Sequence, residues 1–154
     1  MHPIENLQEV RRDGQIIDES MSRDDILRLG QPQKIVELCW THDSRIHEFK
    51  FHYGVNARTV AGREYLVALE MLAEDSNQTA LWVITADGQY RTRVQEPDKF
   101  RNHQVTGNYY YLTTPNIDQP NVFGVIFDDQ LNNLQFQLDI DAENCRILAE
   151  YYIR

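Results

Sequence analysis

Cysteine is scarce in this sequence, and no long apolar segment is present. The only two cysteines among 154 residues are Cys39 and Cys145, whose spacing matches no zinc-ligand pattern. We expect two reduced thiols in a reducing compartment, and the alternative is one disulfide between them. No apolar run approaches the roughly 20 residues that a membrane-spanning helix needs, and residues 1–12 mix charged and polar side chains. The sequence therefore predicts a cytoplasmic protein without a signal peptide or a membrane segment.

Basic residues are also few. Fifteen lysines and arginines stand against 24 aspartates and glutamates, so the formal net charge is −9. A chain this acidic repels nucleic-acid backbones and anionic membranes, and it suits a basic protein partner. Solubility alone is the simpler explanation of the same charge. With 42% hydrophobic residues the chain can bury one sizeable core, and we predict a single domain over residues 1–154.

The sequence lacks the common catalytic motifs. It has no G-x-S-x-G elbow and no glycine-rich phosphate loop, and neither cysteine has a histidine close to it in sequence. The acidic pair Asp24-Asp25 suits a helix N-terminus, and the pair Asp128-Asp129 opens a turn. We therefore expect no catalytic residues and no cofactor, and we favour a non-enzymatic role. The enzyme alternative stays open, because a triad assembled from distant residues leaves no mark in one sequence.

Two short helices are predicted near the N-terminus. Pro3 can open the first, over residues 3–10, with Gly14 after its end. The second is better defined, because Ser22 can cap it, Asp25 occupies its third position and Gly30 follows its end. The second helix is expected to span one to two turns and to act as a lid or brace against a larger element.

The longest predicted helix covers residues 59–75, TVAGREYLVALEMLAED. Its apolar residues recur at helical spacing: Leu66, Leu69, Leu72 and Ala73. This stripe is typical of a helix that packs one face on a core.

Most of the remaining chain alternates with period two, which predicts strands. Asp87-Gly88 is a strong hairpin signal, and pairing across it places Ile84 opposite Arg91 and Trp82 opposite Arg93. The fold class predicted from these patterns is α+β. We expect a curved antiparallel β-meander sheet of about six to eight strands, packed on the principal helix 59–75, with the short helices before it.

Residues 138–150, LDIDAENCRILAE, resemble the ligand spacing of an EF-hand calcium loop. The four carboxylates in that spacing are Asp139, Asp141, Glu143 and Glu150. Alternation on both sides instead predicts a hairpin turning at residues 142–143, with Asp139 paired to Arg146 and Phe136 opposite Ala149. Glu150 would then lie roughly 13 Å from the turn at ~3.3 Å per residue, too far to share an ion. We therefore predict no calcium site.

Three histidines lie within eleven residues: His42, His47 and His52. Alternation places His47 and His52 on opposite faces of a strand, while His42 falls in a turn. Zinc needs three or four convergent ligands, so we predict no metal site here.

The remaining signal is a charge asymmetry with aromatic residues. No Lys or Arg occurs from residue 104 to 145, and six carboxylates do: Asp118, Asp128, Asp129, Asp139, Asp141 and Glu143. The candidate binding residues are Trp82, Arg91, Arg93, Tyr109, Tyr111, Asp128 and Asp129. Tyr, Trp and Arg are the side chains enriched in interface hot spots. The alternative for Trp82 is an internal role, covered by the stems of the two arginines.

These observations favour a non-catalytic intracellular binding protein: an inhibitor, an immunity-type protein or a regulatory subunit. It would act by steric occlusion through an acidic, tyrosine-bearing sheet surface that meets a basic protein. The alternative is a small-molecule-binding or enzymatic domain with a pocket between the sheet and helix 59–75. A third possibility is nucleic-acid mimicry, which needs carboxylates spaced like phosphates along one face.

Overall fold

A computed structural model of the chain describes residues 3–74 and 77–153. Within these ranges the chain forms fourteen strands and one helix, α1 (Arg23–Leu27). Strands β1–β4 are Glu5–Arg11, Ile16–Asp18, Ile35–His42 and Arg45–Lys50, and they form the N-terminal sheet in the order β2-β1-β3-β4. Strands β5–β8 are Val55–Thr59, Tyr65–Met71, Thr79–Thr85 and Arg91–Val94, and they form the central sheet in chain order.

The rest of the chain forms a hairpin and a third sheet. Strands β9 (Lys99–Phe100) and β10 (His103–Gln104) make the hairpin. Strands β11–β14 are Gly107–Thr113, Val122–Asp129, Leu134–Asp141 and Ile147–Tyr152, and they form the C-terminal sheet in chain order. All pairings are antiparallel.

The central sheet is covered on both faces. One face joins an apolar cluster shared with the N-terminal sheet, through residues such as Leu66, Ala68 and Ile84. The other face joins a second cluster shared with the C-terminal sheet, through residues such as Val67 and Leu69. Successive residues of β6 therefore contribute in turn to one cluster and to the other. The molecule has three sheet layers, with the central sheet in the middle.

The predicted helix over residues 59–75 is wrong, and with it the α+β fold class. The single curved sheet of six to eight strands is also wrong, because the strands divide into three four-stranded sheets and one two-stranded hairpin. Tyr65–Met71 is strand β6, and no principal helix exists among the described residues. A strand buried on both faces has an almost continuous apolar run, which periodicity cannot distinguish from a helix. Leu66 and Leu69, assigned to one helical stripe, belong to different cores. The pocket expected between a sheet and this helix does not form, and the last residue of the predicted helix, 75, lies outside the described residues.

The first N-terminal helix is also wrong, whereas the second is confirmed. Residues 5–11 form β1, which pairs with both β2 and β3 and has a register shift between Glu5 and Gln8. Ser22 caps α1 as predicted: its hydroxyl accepts a hydrogen bond from the Asp25 N–H, and the Asp25 carboxylate accepts one from the Ser22 N–H. Tertiary pairing overrides the proline signal at residue 3, while the capping box needs only local contacts.

The predicted hairpin between β7 and β8 is confirmed, but the last four strands form a meander of their own, separate from these two. The β7–β8 register places Trp82 opposite Arg93 and Ile84 opposite Arg91. The β3–β4 hairpin turns at Asp43 and Ser44, both with positive φ. Strand β12, apolar on both faces, lies inside the C-terminal sheet between β11 and β13.

The predicted register of the last hairpin is wrong. Phe136 lies opposite Tyr152 rather than Ala149, and a register shift separates Asp139 from Ile140. Ala142 is buried and donates its N–H to the Asn121 carbonyl, so the turn cannot be centred on it. A longer turn closes instead at residues 141–146, with Cys145 in the positive-φ position.

No helix among the described residues is long and apolar enough to cross a membrane.

Truncating Leu69 and Leu72 separately distinguishes the strand from the predicted helix. Leu69 is buried between the central and C-terminal sheets, whereas Leu72 is 40% exposed just after β6. Leu69→Ala is expected to lower the free energy of unfolding by about 2–5 kcal/mol, and Leu72→Ala by about 0.5 kcal/mol or less. Urea denaturation measures both values. Equal losses at the two positions would contradict the two-faced strand.

Candidate protein-binding surface

The outer face of the C-terminal sheet carries a row of four side chains across its four strands. Tyr111 of β11 pairs with Ile126 of β12, Ile126 with Gln137 of β13, and Gln137 with Tyr151 of β14. Alternating residues of the same strands, such as Phe127, pack into the core on the inner face. The register therefore places the row on the face opposite the core. Ile126 in its middle is only 1% exposed, and Tyr111 at its end also borders Ala57 and Arg58 of β5.

Two tyrosines of β11 are exposed next to each other because the strand is bulged. The register shifts between Tyr109 and Tyr111, so Tyr110 is an extra residue in β11. A bulge places two consecutive residues opposite one partner residue and redirects their side chains. Tyr110 is 56% and Tyr111 42% exposed, and their ring centroids lie 5.2 Å apart at an interplanar angle of 81°. Together they form a rigid, amphipathic projection on the sheet.

Tyr109 does not belong to this surface, although the sequence assigned it there. Its side chain is fully buried, and its hydroxyl donates a hydrogen bond of 2.6 Å to the Gln95 carbonyl. Burial is the main cause that raises the pKa of Tyr109, and the charge of Glu96 adds to it. Tyr109 is therefore a neutral core residue that links β11 to the end of β8.

Asp129 is likewise internal, while Asp128 stays on the outer face. Asp129 is 1% exposed, and its carboxylate accepts hydrogen bonds from the Thr106 and Leu131 N–H groups, both at 3.1 Å. The Asn132 amide donates a third bond at 2.8 Å. Asp129 thus stabilises the β12–β13 turn. Asp128 is half-buried, paired with Asn108 on one side and Gln135 on the other.

Asp139 does not pair with Arg146, which corrects the predicted ion pair. Its carboxylate is fully buried and accepts hydrogen bonds from the Asn116 N–H at 2.8 Å and the Ile117 N–H at 2.9 Å. The Gln137 amide donates a further bond of 2.9 Å to its other oxygen. Asp139 therefore holds the β11–β12 loop against the outer face of the sheet.

The outer surface is less acidic than the sequence suggests, because Asp129 and Asp139 are used internally. The carboxylates of this segment that remain half-buried or exposed are Asp118, Asp128, Asp141 and Glu143. The row across the sheet consists of tyrosine, isoleucine and glutamine rather than carboxylates, which does not resemble a line of phosphates. We call Tyr110, Tyr111, Asp128, Gln137 and Tyr151 the tyrosine–acid surface. The sequence offered no signal for Tyr151, because the predicted register of β14 was wrong.

Trp82 and its two arginines lie elsewhere, on the face of the central sheet that packs against the N-terminal sheet. The Arg91 guanidinium is 3.9 Å from the centroid of the Trp82 ring, and that of Arg93 is 5.9 Å away. Glu70 accepts hydrogen bonds from the Trp82 indole at 3.0 Å and from Arg91 at 3.1 Å. Arg93 pairs with Glu96 at 3.0 Å. These contacts match the internal role considered for Trp82, and the structure does not bring this cluster together with the tyrosine–acid surface.

His42, the last residue of β3, lies beside His47 with ring centroids 6.2 Å apart, whereas His52 makes a different contact. His47 stacks on Trp40 with centroids 5.6 Å apart, and His52 meets Tyr53 edge-on at 4.4 Å. The sequence missed another group, in which potential ligand atoms of Glu37, Cys39 and Glu48 lie within 4.8 Å of one another. Cross-strand pairing of Cys39 with Glu48 creates it, and no linear spacing marks it.

The thiol in that group is protonated at neutral pH. Burial, followed by the charges of Glu37 and Glu48, raises the pKa of Cys39 to about 11. The Cys39 Sγ donates a weak hydrogen bond of 3.8 Å to Glu37. Cys39 and Cys145 are both free thiols.

The fold as a whole matches that of one chain in a solved complex of two proteins. A chain of the structure of Tne2 in complex with Tni2 superposes with a TM-score of 0.90 and 25% sequence identity. The match covers 98% of this chain and 99% of that one, so the three-layer arrangement is shared from end to end. No protein-family model matches the chain, and no curated protein matches it. The structural neighbour is thus a protein that was observed bound to a protein partner.

Replacing Asp139 tests how the loop is held on the sheet. Asp139→Asn keeps the shape but weakens a carboxylate that accepts two backbone N–H bonds, so we expect a loss of about 1–3 kcal/mol in unfolding free energy. Asp118→Asn, at an exposed position, is the matched control and should change stability by about 0.5 kcal/mol or less. Chemical denaturation compares the two variants. If both were neutral, Asp139 would not anchor the loop.

Proposed function

We propose that this chain is a non-catalytic, immunity-type binding protein that inhibits a protein partner by covering its functional surface. The observation that carries the proposal is the pair of adjacent exposed tyrosines, Tyr110 and Tyr111, on the edge strand β11 of the C-terminal sheet. The surrounding segment has no lysine or arginine between residues 104 and 145.

Tyrosine is suited to the role of anchor. Its ring buries a large apolar area with little loss of side-chain entropy, and its hydroxyl can still find a hydrogen-bond partner. Interfaces concentrate binding energy in a few such residues, surrounded by weaker contacts that exclude water. Tyr110 and Tyr111 would fill the centre of the interface, with Tyr151 and Gln137 extending it across the sheet.

The acidic residues would select a basic partner. Asp128 and Asp141 lie on the same outer face of the sheet, and Glu143 follows in the turn. A negative surface accelerates encounter with a positive one and disfavours acidic competitors, and added salt weakens both effects. The partner we propose is therefore a protein with a basic surface around its functional site.

A sheet supports occlusion better than a loop would. The tyrosine–acid surface is built on four hydrogen-bonded strands whose inner face is part of a packed core. Such a surface binds without ordering a flexible segment, so little affinity is lost to conformational entropy. The similarity to a chain of the Tne2–Tni2 complex supports the proposal, since that fold occurs in a complex between two proteins.

The double variant Tyr110→Ala/Tyr111→Ala tests the assignment. The partner is first captured from native lysate on the wild-type chain and purified, and its affinity is then measured by calorimetry. We expect the double variant to lose at least about 30-fold, since hot-spot tyrosines contribute about 2 kcal/mol or more. Tyr90→Ala is the matched control: Tyr90 is 66% exposed, outside the C-terminal sheet, and should bind within about twofold of wild type.

The opposite pattern would contradict the surface. If the Tyr90 variant lost affinity while the double variant kept it, partner binding would occur on another face. If all variants kept full affinity and the same fold by circular dichroism, none of these tyrosines would contribute to binding.

A further inference from the structure

A cavity of about 460 Å³ opens between the central and C-terminal sheets, next to the tyrosine–acid surface but lined by other residues. Its walls are apolar and belong to buried residues of both sheets: Val60, Val67, Leu112, Val122 and Phe123. Arg58, Thr114, Asp118 and Gln119 stand among its polar lining residues. The volume falls in the range of about 300–1,000 Å³ that is typical of small-molecule sites.

The loop that follows β11 forms one wall of the cavity. Asp139 accepts hydrogen bonds from the N–H groups of Asn116 and Ile117, and the Pro120 carbonyl accepts one from Gly62 at 2.7 Å. The loop is therefore tied to both sheets that form the cavity. Glycine at position 62 eases this approach, because a Cβ there would lie 3.0 Å from the Pro120 Cβ. A wall fixed in this way lowers the entropic cost of binding a ligand.

Arg58 supplies a positive charge among these lining residues. It lies on the edge strand β5 opposite Val67, whose side chain is part of the cavity wall. Its guanidinium is 3.4 Å from the Thr114 hydroxyl, and among the described residues no carboxylate forms an ion pair with it. The arginines Arg63, Arg91 and Arg93, in contrast, each pair with a glutamate. In a chain of net charge −9, Arg58 is thus positioned to receive an anionic group from outside.

We propose that this cavity binds a small amphipathic monocarboxylate of about the size of a medium-chain fatty acid. The apolar body lies against Val67, Leu112 and Phe123, and the carboxylate pairs with Arg58 at the mouth. The inference does not depend on the protein-binding role, because the cavity and the tyrosine–acid surface use different residues. Hydrophobic burial supplies most of the affinity, and the arginine selects the acid over neutral molecules.

A chain-length series tests the apolar part. Binding of hexanoate, octanoate and decanoate to the full chain is measured by calorimetry below their micelle concentrations. Each added methylene should increase affinity by about threefold to fourfold until the cavity is filled. Ala61→Trp, at an exposed position lining the cavity, should block the mouth and abolish binding while leaving the thermal unfolding temperature unchanged.

A head-group comparison tests Arg58. Arg58→Gln should weaken decanoate binding by about threefold to fivefold, the range for a solvent-exposed ion pair, and leave decanol binding unchanged. Arg45→Gln, also exposed but on the N-terminal sheet, is the control and should change neither. Absence of binding for every chain length would overturn the proposal. So would decanoate binding that is insensitive to both Ala61→Trp and Arg58→Gln, since the acid would then bind elsewhere.

Discussion

The structure depends on the burial of both faces of the central sheet. Strand β6 contributes Leu66 and Ala68 to one core and Val67 and Leu69 to the other, so neither outer sheet can pack without it. Each outer sheet then has one covered face and one face turned outward. This constraint explains why the chain exposes a broad sheet surface while still burying a sizeable core. It also accounts for the near absence of helix, because sheets already cover both sides of the middle layer.

Two buried carboxylates determine which parts of the outer face of the C-terminal sheet stay exposed. Asp129 fixes the β12–β13 turn, and Asp139 fixes the β11–β12 loop, each by accepting several hydrogen bonds away from water. A buried carboxylate without such donors would be strongly destabilising, so both groups are committed to the fold. The loop held by Asp139 covers one end of the outer face and walls the cavity. The uncovered remainder is where Tyr110 and Tyr111 project.

Local signals in the sequence predicted several parts of this arrangement. The capping box at Ser22 and Asp25 and the pairing of Trp82 with Arg93 need only neighbouring residues or a short turn. The identity of β6 could not be read in the same way. Its apolar run is continuous because both faces of the strand are buried. Periodicity distinguishes a strand from a helix only when one face of the element is exposed and polar.

The surface was harder to predict than the fold, because single-residue irregularities decide it. A bulge at Tyr110 sends two tyrosines outward and leaves Tyr109 in the core, and no pattern of alternation contains that information. Burial of Ala142 lengthens the last turn and shifts β14, which brings Tyr151 beside Gln137. Asp139 appeared as a surface charge because Asn116 and Ile117, whose N–H groups donate to it, are distant in sequence. Asp129 accepts from the equally distant Thr106 N–H, in addition to two donors in its own turn. Of the tyrosines and aspartates named from the sequence, Tyr111 and Asp128 remain accessible, whereas Tyr109 and Asp129 are buried.

The most direct test of the account is hydroxyl-radical footprinting of the chain, free and in complex with its purified protein partner. Oxidation of Tyr110, Tyr111 and Tyr151 should fall sharply in the complex, while oxidation of the exposed Tyr90 should stay as it is in the free chain. Protection of Tyr90 or Trp82 with unchanged oxidation of Tyr110 and Tyr111 would show that the partner binds another face, and it would contradict the central claim.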